Sequence, residues 1–191
     1  MTQRIVVFNN VSIDGWFADA QGSVGWAYAH SDPDFDAFVA SNSEGGDTLL
    51  LGRVTWELMA SWWPTPAALA SNRVVAEQMN RMRKVVVSRT LREATWENSS
   101  LVRDDMVAAV RKLKAGPGGG IVVLGSGSVV AQLARAGLVD EYQLVVNPVV
   151  LGAGRSMFAG IDQPIALRLT ESRTFASGKV LLCYAAAGTA A

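Results

Sequence analysis

Ile121-Val122-Val123-Leu124-Gly125-Ser126-Gly127-Ser128-Val129-Val130 is the stretch on which the fold turns. Four apolar residues stand in a row, three of them β-branched, and Gly-Ser-Gly follows at once. A short apolar run closed by turn residues reads as a strand buried on both faces. The residues after the turn restart an apolar pattern that suits a helix over 128–136. Two upstream stretches repeat this grammar. Leu49-Leu50-Leu51 runs into Gly52-Arg53-Val54-Thr55-Trp56-Glu57, and Lys84-Val85-Val86-Val87 runs into Ser88-Arg89-Thr90.

Working outward, further strands are expected over 5–9, 48–51 and 85–87. The region 11–25 reads as a loop rich in turn residues. Helices are expected from Ser31-Asp32-Pro33, over 53–60 and 70–81, and from Asp104 or Asp105 as N-cap. After Gly137 the alternation stops. Long strands follow over 142–150, 165–175 and 179–184 with no helix between them. Strands alternating with helices, then strands alone, predict a three-layer α/β fold. Its sheet is open and mostly parallel with antiparallel C-terminal strands. One domain over 1–186 and a frayed tail over 187–191 complete the expectation.

Composition narrows the function. The 191 residues are 50% hydrophobic and 18% charged, with a net charge of zero. That argues for a folded core and against a basic nucleic-acid-binding face. No apolar stretch is long enough for a membrane span, and no signal peptide is recognisable, so the cytoplasm is the expected home. His30 and Cys183 are the single histidine and cysteine, which makes a zinc site improbable. Cys183 lies in an apolar strand pattern and reads as a buried thiol.

The three turns carry the chemistry. In an open α/β sheet, ligands bind beyond the carboxyl ends of the strands. Unpaired N–H groups at a helix start suit phosphate. Gly52, Arg53 and Thr55 offer such a start. Ser88, Arg89 and Thr90 offer hydroxyls and a guanidinium where a free ribose would call for an acid, which favours NADP(H) over NAD(H). Gly125, Ser126, Gly127, Ser128 and Val129 suit a pyrophosphate. Each turn also has a plainer reading, as a helix start, a polar turn or a glycine bend. Asp14, in Ser12-Ile13-Asp14-Gly15, is either a turn residue or a carboxylate near a substrate. Trp26 and Trp62-Trp63-Pro64 are either ring-binding walls or core.

In this order and spacing the motifs resemble the dihydrofolate-reductase-like superfamily. More narrowly, they resemble stand-alone relatives of the reductase domain of bifunctional riboflavin-biosynthesis proteins (the RibD C-terminal domain). Leu138-Val139-Asp140-Glu141-Tyr142 and Pro148-Val149-Val150-Leu151-Gly152-Ala153-Gly154 extend the match over nearly the whole chain. The resemblance implies NADPH as hydride donor, bound by Gly52, Arg53, Thr55, Ser88, Arg89, Gly125, Ser126, Gly127 and Ser128. It implies a small heterocyclic, carbonyl or C=N substrate near Asp14, Leu151 and Gly152, with Trp26 on the pocket wall. Asp14 would be a candidate proton donor. It also implies a homodimer through the C-terminal strands. Asp32, Asp34 and Asp36 crowd the helix start where true dihydrofolate reductases keep a pterin-binding acid, and no one of them aligns. The cysteine pair and His-x-Glu that mark the zinc deaminase half are not found in this sequence, so that half is not expected here. An NADP(H)-binding dimer without turnover is the alternative.

Overall fold

The computed structural model describes residues 2–29, 32–43 and 47–187. The first half holds β1 (Ile5–Ser12), β2 (Trp16–Asp19), a 3-10 turn (Gly25–Tyr28), α1 (Pro33–Ser43), β3 (Thr48–Gly52), α2 (Arg53–Ala60), α3 (Pro66–Ser71), α4 (Arg73–Arg81) and β4 (Arg83–Val87). The second holds β5 (Ser99–Val102), α5 (Met106–Ala115), β6 (Ile121–Val123), α6 (Gly127–Arg135), β7 (Glu141–Asn147), β8 (Gly154–Ser156), β9 (Leu167–Thr174) and β10 (Val180–Ala186). Eight strands form one sheet in the order β5-β4-β3-β6-β1-β7-β10-β9, and β2 pairs with β8 in a small ribbon. Only β10 runs against the others in the large sheet.

Side-chain alternation along the central strands builds the three layers. Leu50, Val85, Ile5, Val7, Ile121 and Val123 face α5 and α6, where Val110, Val130 and Leu133 close the core. Leu49, Leu51 and Val86 face the other way, against Trp56 of α2 and Val75 and Met79 of α4. Farther along that second face, Phe35 of α1 meets Val145, Phe175 and Leu181. Burying each leucine of β3 contributes roughly 1.5–3 kcal/mol. With a core on both faces, the strand reads as a continuous apolar run. The thiol of Cys183 is buried as expected and is pushed up to about 11, first by burial and then by Glu141 and Glu171.

Several elements differ from the sequence reading. The expected helix over 70–81 is two helices, because Asn72 leaves helical geometry and caps α4 by accepting from Val75 N. The region read as a loop over 11–25 contains the end of β1 and all of β2. β7 stops at Asn147 and is parallel to β1, so the antiparallel character begins only at β10. β5 was not expected. It is a polar edge strand whose place is set by pairing with β4 and by Trp56 Nε1 donating to Ser99 Oγ at 3.0 Å. The cap of α1 is Asp32, which accepts from the N–H groups of Asp34 and Phe35. Asp105, not Asp104, caps α5. His30, Ser31 and the tail from 188 onward lie outside the described residues.

Candidate functional site at the carboxyl edge of the sheet

Parallel pairing brings the three turns to one edge. Gly52 is level with Val87, and Leu50 is level with Val123. Arg53, Ser88 and Gly125 therefore follow neighbouring strands out of the sheet on the same side. The first and third turns touch. A Cβ on Gly52 would overlap the Ser126 hydroxyl, so glycine is what lets the two turns close on each other. Gly125 turns with φ +52°, and its N–H donates to Asn9 Oδ1 at 2.8 Å. Gly127 starts α6 against the backbone of the β8 segment. A Cβ there would lie 2.7 Å from the Ser156 carbonyl oxygen and 2.9 Å from Phe17.

The N–H groups of Val129 and Val130 both donate to the Ser126 carbonyl. The first two residues of the helix, Gly127 and Ser128, thus present their N–H groups outward from the ladder. The Val129 side chain is buried in the core and packs beneath the turn.

The second turn is built to hold a shape. Ser88 is buried and its Oγ accepts from Thr90 N and Leu91 N, so its hydroxyl oxygen serves the loop. Arg103, just past β5, donates to the carbonyls of Leu91 and Arg92, each at 2.7 Å. Between these two fixings Arg89 is exposed. Among the described residues no hydrogen bond or ion pair engages its guanidinium. Arg53 is different, for it pairs with Glu57 one turn on at 2.8 Å.

Past β1 the edge opens into a pocket of about 150 Å3 lined by Trp26, Ala29, Asn147, Pro148, Val149 and Lys179. Trp26, which the sequence left open between a ring-binding wall and core, is one of the lining residues. Asn147 and Lys179 were not expected there. Both are buried, and Lys179 sets its ammonium 4.9 Å from the centre of the Phe35 ring. Asn147 Nδ2 donates to Asn10 Oδ1 and Val145 O, both at 3.0 Å, which fixes its amide orientation. Of the tryptophan pair, Trp63 packs against the α2–α4 core, and its carbonyl accepts from Asn80 Nδ2.

Asp14 does not line that pocket. Its carboxylate accepts from Leu151 N at 3.2 Å and Gly152 N at 2.7 Å, clipping the loop after β1 to the loop after β7. The Ser12 hydroxyl and these N–H groups hold its acid down to about 2. It carries its charge at neutral pH, and in this structure it clips the two loops together. The clip is complete above the ordinary value of 3.8 and is lost only as pH falls through about 2. The three acids of α1 are also accounted for. Asp32 accepts from Ser177 N and is lowered to about 2, first by Ser177 and then by Phe35 N–H. Asp34 pairs with Arg173, and Asp36 is exposed. None of the three lines the pocket.

The family model of the RibD C-terminal domain matches residues 3–181. The chain belongs to that family. It is 32% identical over 183 residues to the uncharacterized protein YyaP of Bacillus subtilis, covering 95% of this chain and 94% of that one. Its fold is shared with a protein of Shewanella sp. PV-4 named for riboflavin biosynthesis, at a TM-score of 0.77 and 21% identity over 98% and 99% of the two chains. It is also shared with Enterococcus faecalis dihydrofolate reductase, solved in complex with NADP(H) and RAB-propyl, at a TM-score of 0.64 and 14% identity over 97% and 99%. As a RibD C-terminal domain with these neighbours, the chain is a member of a reductase-type family. Among the described residues no helix is long and apolar enough to cross a membrane, and no three metal-binding side chains cluster.

Proposed function

We propose that this RibD C-terminal domain is an NADPH-dependent reductase of a small heterocyclic, carbonyl or C=N compound. The observation that carries this reading is the shared edge. Four neighbouring parallel strands, β4, β3, β6 and β1, end there beside a pocket at β7 and β10. The residues fit a dinucleotide. Gly52 and Gly127 let the turns and the β8 segment pack closely around the edge, and the start of α6 offers N–H donors for a pyrophosphate. Arg89 and Thr90, on the loop braced by Arg103, would meet the 2′-phosphate. Arg53 and Thr55 would flank the phosphates from α2.

NADPH supplies the hydride. The protein's own part is placement. The turns hold the donor along the edge, Trp26 and Val149 shield one side of the pocket, and the Asp14 clip holds the loops that border it. The proton required by the reduced product would come from Asp14 or another acid, or from water. The exposed edge strand β9, which shows Leu167 and Leu169 to solvent, would pair with a second copy of the chain. Light scattering that gives the mass of two chains checks that assignment, and a monomer at high concentration removes it.

Titration with NADPH and NADH, followed by oxidation assays on pterins, pyrimidines and simple carbonyl compounds, tests the whole reading. Binding without turnover of any compound favours the non-catalytic alternative. Within it, Arg89→Ala is expected to weaken NADPH about tenfold, the loss of one charge-assisted contact worth roughly 1.5–3 kcal/mol when fully formed. NADH binding should hardly change. Equal losses for both nucleotides would remove Arg89 from the 2′-phosphate.

A further inference from the structure

The loop that leaves β4 has little backbone bonding to hold its shape. Ser88 N donates to Val102 O at 3.0 Å, and among the described residues no backbone–backbone hydrogen bond engages 89–95. Two side chains take over that task. At the front, Ser88 Oγ accepts from Thr90 N at 3.2 Å and Leu91 N at 2.9 Å. At the back, Arg103 donates through Nη1 to Leu91 O and through Nη2 to Arg92 O, each at 2.7 Å. Val102 and Arg103 are consecutive, so the end of β5 grips the loop in two places. Between those places stand Arg89 and Thr90, both exposed.

The rear grip suits arginine alone. Leu91 O and Arg92 O are successive carbonyls, and the planar guanidinium meets them with N–H groups from two nitrogens in a fixed fork. A lysine ammonium is a point donor on a flexible stem. It would carry the same charge but would not set the spacing of two acceptors. With both terminal nitrogens of Arg103 engaged on carbonyls, what this residue gives the loop is shape. A loop already held in its binding shape loses little conformational freedom when a ligand arrives. On the reading proposed above, the ligand group that benefits is the one Arg89 meets, the 2′-phosphate, which NADH lacks.

We infer that Arg103 is a positioning residue that sets the preference for the 2′-phosphorylated nucleotide by fixing the loop that carries Arg89, without touching the phosphate itself. This inference rests on the NADPH reading. Arg103→Lys keeps the charge and removes the fork, and Arg103→Met removes both. Each is made in the native chain and in the Arg89→Ala variant, and titrated with NADPH and NADH. In the native chain both substitutions should weaken NADPH about tenfold and leave NADH within twofold. In the Arg89→Ala background neither should weaken NADPH by more than a further twofold, because the side chain through which Arg103 acts is gone. Native-like NADPH binding by the Arg103→Lys variant would make charge the cause and overturn the inference. So would equal losses for the two nucleotides, or a full tenfold loss added to that of Arg89→Ala. Those three outcomes leave the NADPH reading in place. Native protein that binds neither nucleotide, or both alike, overturns the reading and the inference together.

Discussion

Replacing Gly127 by alanine is expected to lower stability by about 2 kcal/mol and to weaken NADPH binding at least tenfold. The added Cβ would sit 2.7 Å from a backbone oxygen of Ser156, 2.9 Å from Phe17 and 3.2 Å from Met157 Cα. Two of these three atoms belong to the backbone and cannot swing aside. Overpacking of this kind costs roughly 1–3 kcal/mol. Alanine's better helix propensity returns under about 1 kcal/mol, and less at the first position of a helix. The clash therefore wins. Relief requires α6 to shift away from β8, which moves the N–H groups of Gly127 and Ser128 off the position proposed for the phosphate. The thermal midpoint should fall by about 4–8 °C for a chain of this size. A variant that loses stability yet binds NADPH like the native protein would make Gly127 a packing residue alone. A variant unchanged in both measurements would refute the close approach.

Lys84→Ala should cost about 3 kcal/mol, although the residue lies near the start of β4, at the other end of the strand from the Ser88 turn. Lys84 is wholly buried at the second residue of β4. Its ammonium donates to the carbonyls of Asn80 at 2.6 Å and Glu97 at 3.1 Å, and it stands 4.2 Å from the centre of the Trp96 ring. The pair of bonds ties the end of α4 to the segment entering β5. Truncation leaves two carbonyls without a donor and a void along the stem, and comparable core truncations cost about 2–5 kcal/mol. The midpoint should drop by roughly 6–12 °C. Burial pushes this ammonium down to about 8 from 10.5, with Glu97 opposing. Between those two values the unfolded chain keeps a proton that the folded chain has released. Stability of the native protein should therefore rise as pH goes from about 8 to 10.5, and the alanine variant should lack that rise. A loss under about 1 kcal/mol, or the same rise in the variant, would show that Lys84 does not brace this corner.

Much of the sheet's carboxyl edge was legible because its signals are local. Apolar runs that end in Gly-Arg, Ser-Arg-Thr or Gly-Ser-Gly declare buried parallel strands followed by turns, whatever lies elsewhere in the chain. Arg103 was not legible. Its work is to grip two carbonyls more than ten residues away, and a lone arginine after a polar strand carries no such signal. Lys179 and Asn147 escaped for the same reason, since each is polar and buried only because distant segments cover it. Asp14 was singled out correctly as a residue of note, but its partners at Leu151 and Gly152 are 137 and 138 positions away, and only they make it a clip.

The Gly-Ser-Gly stretch by itself determined that a buried strand would end in a glycine turn opening a helix, and with its two counterparts it determined the layered α/β class. Periodicity and turn chemistry act over a few residues, so the chain could state them unaided. Only the tertiary structure decided that β6 returns between β3 and β1, so that the Gly125 N–H meets Asn9 and the Ser126 hydroxyl fills the space beside Gly52. Strand order and register arise from the packing of two whole faces against helices far apart in sequence. No local pattern records them, and with them came the pocket, the clip and the grip of Arg103.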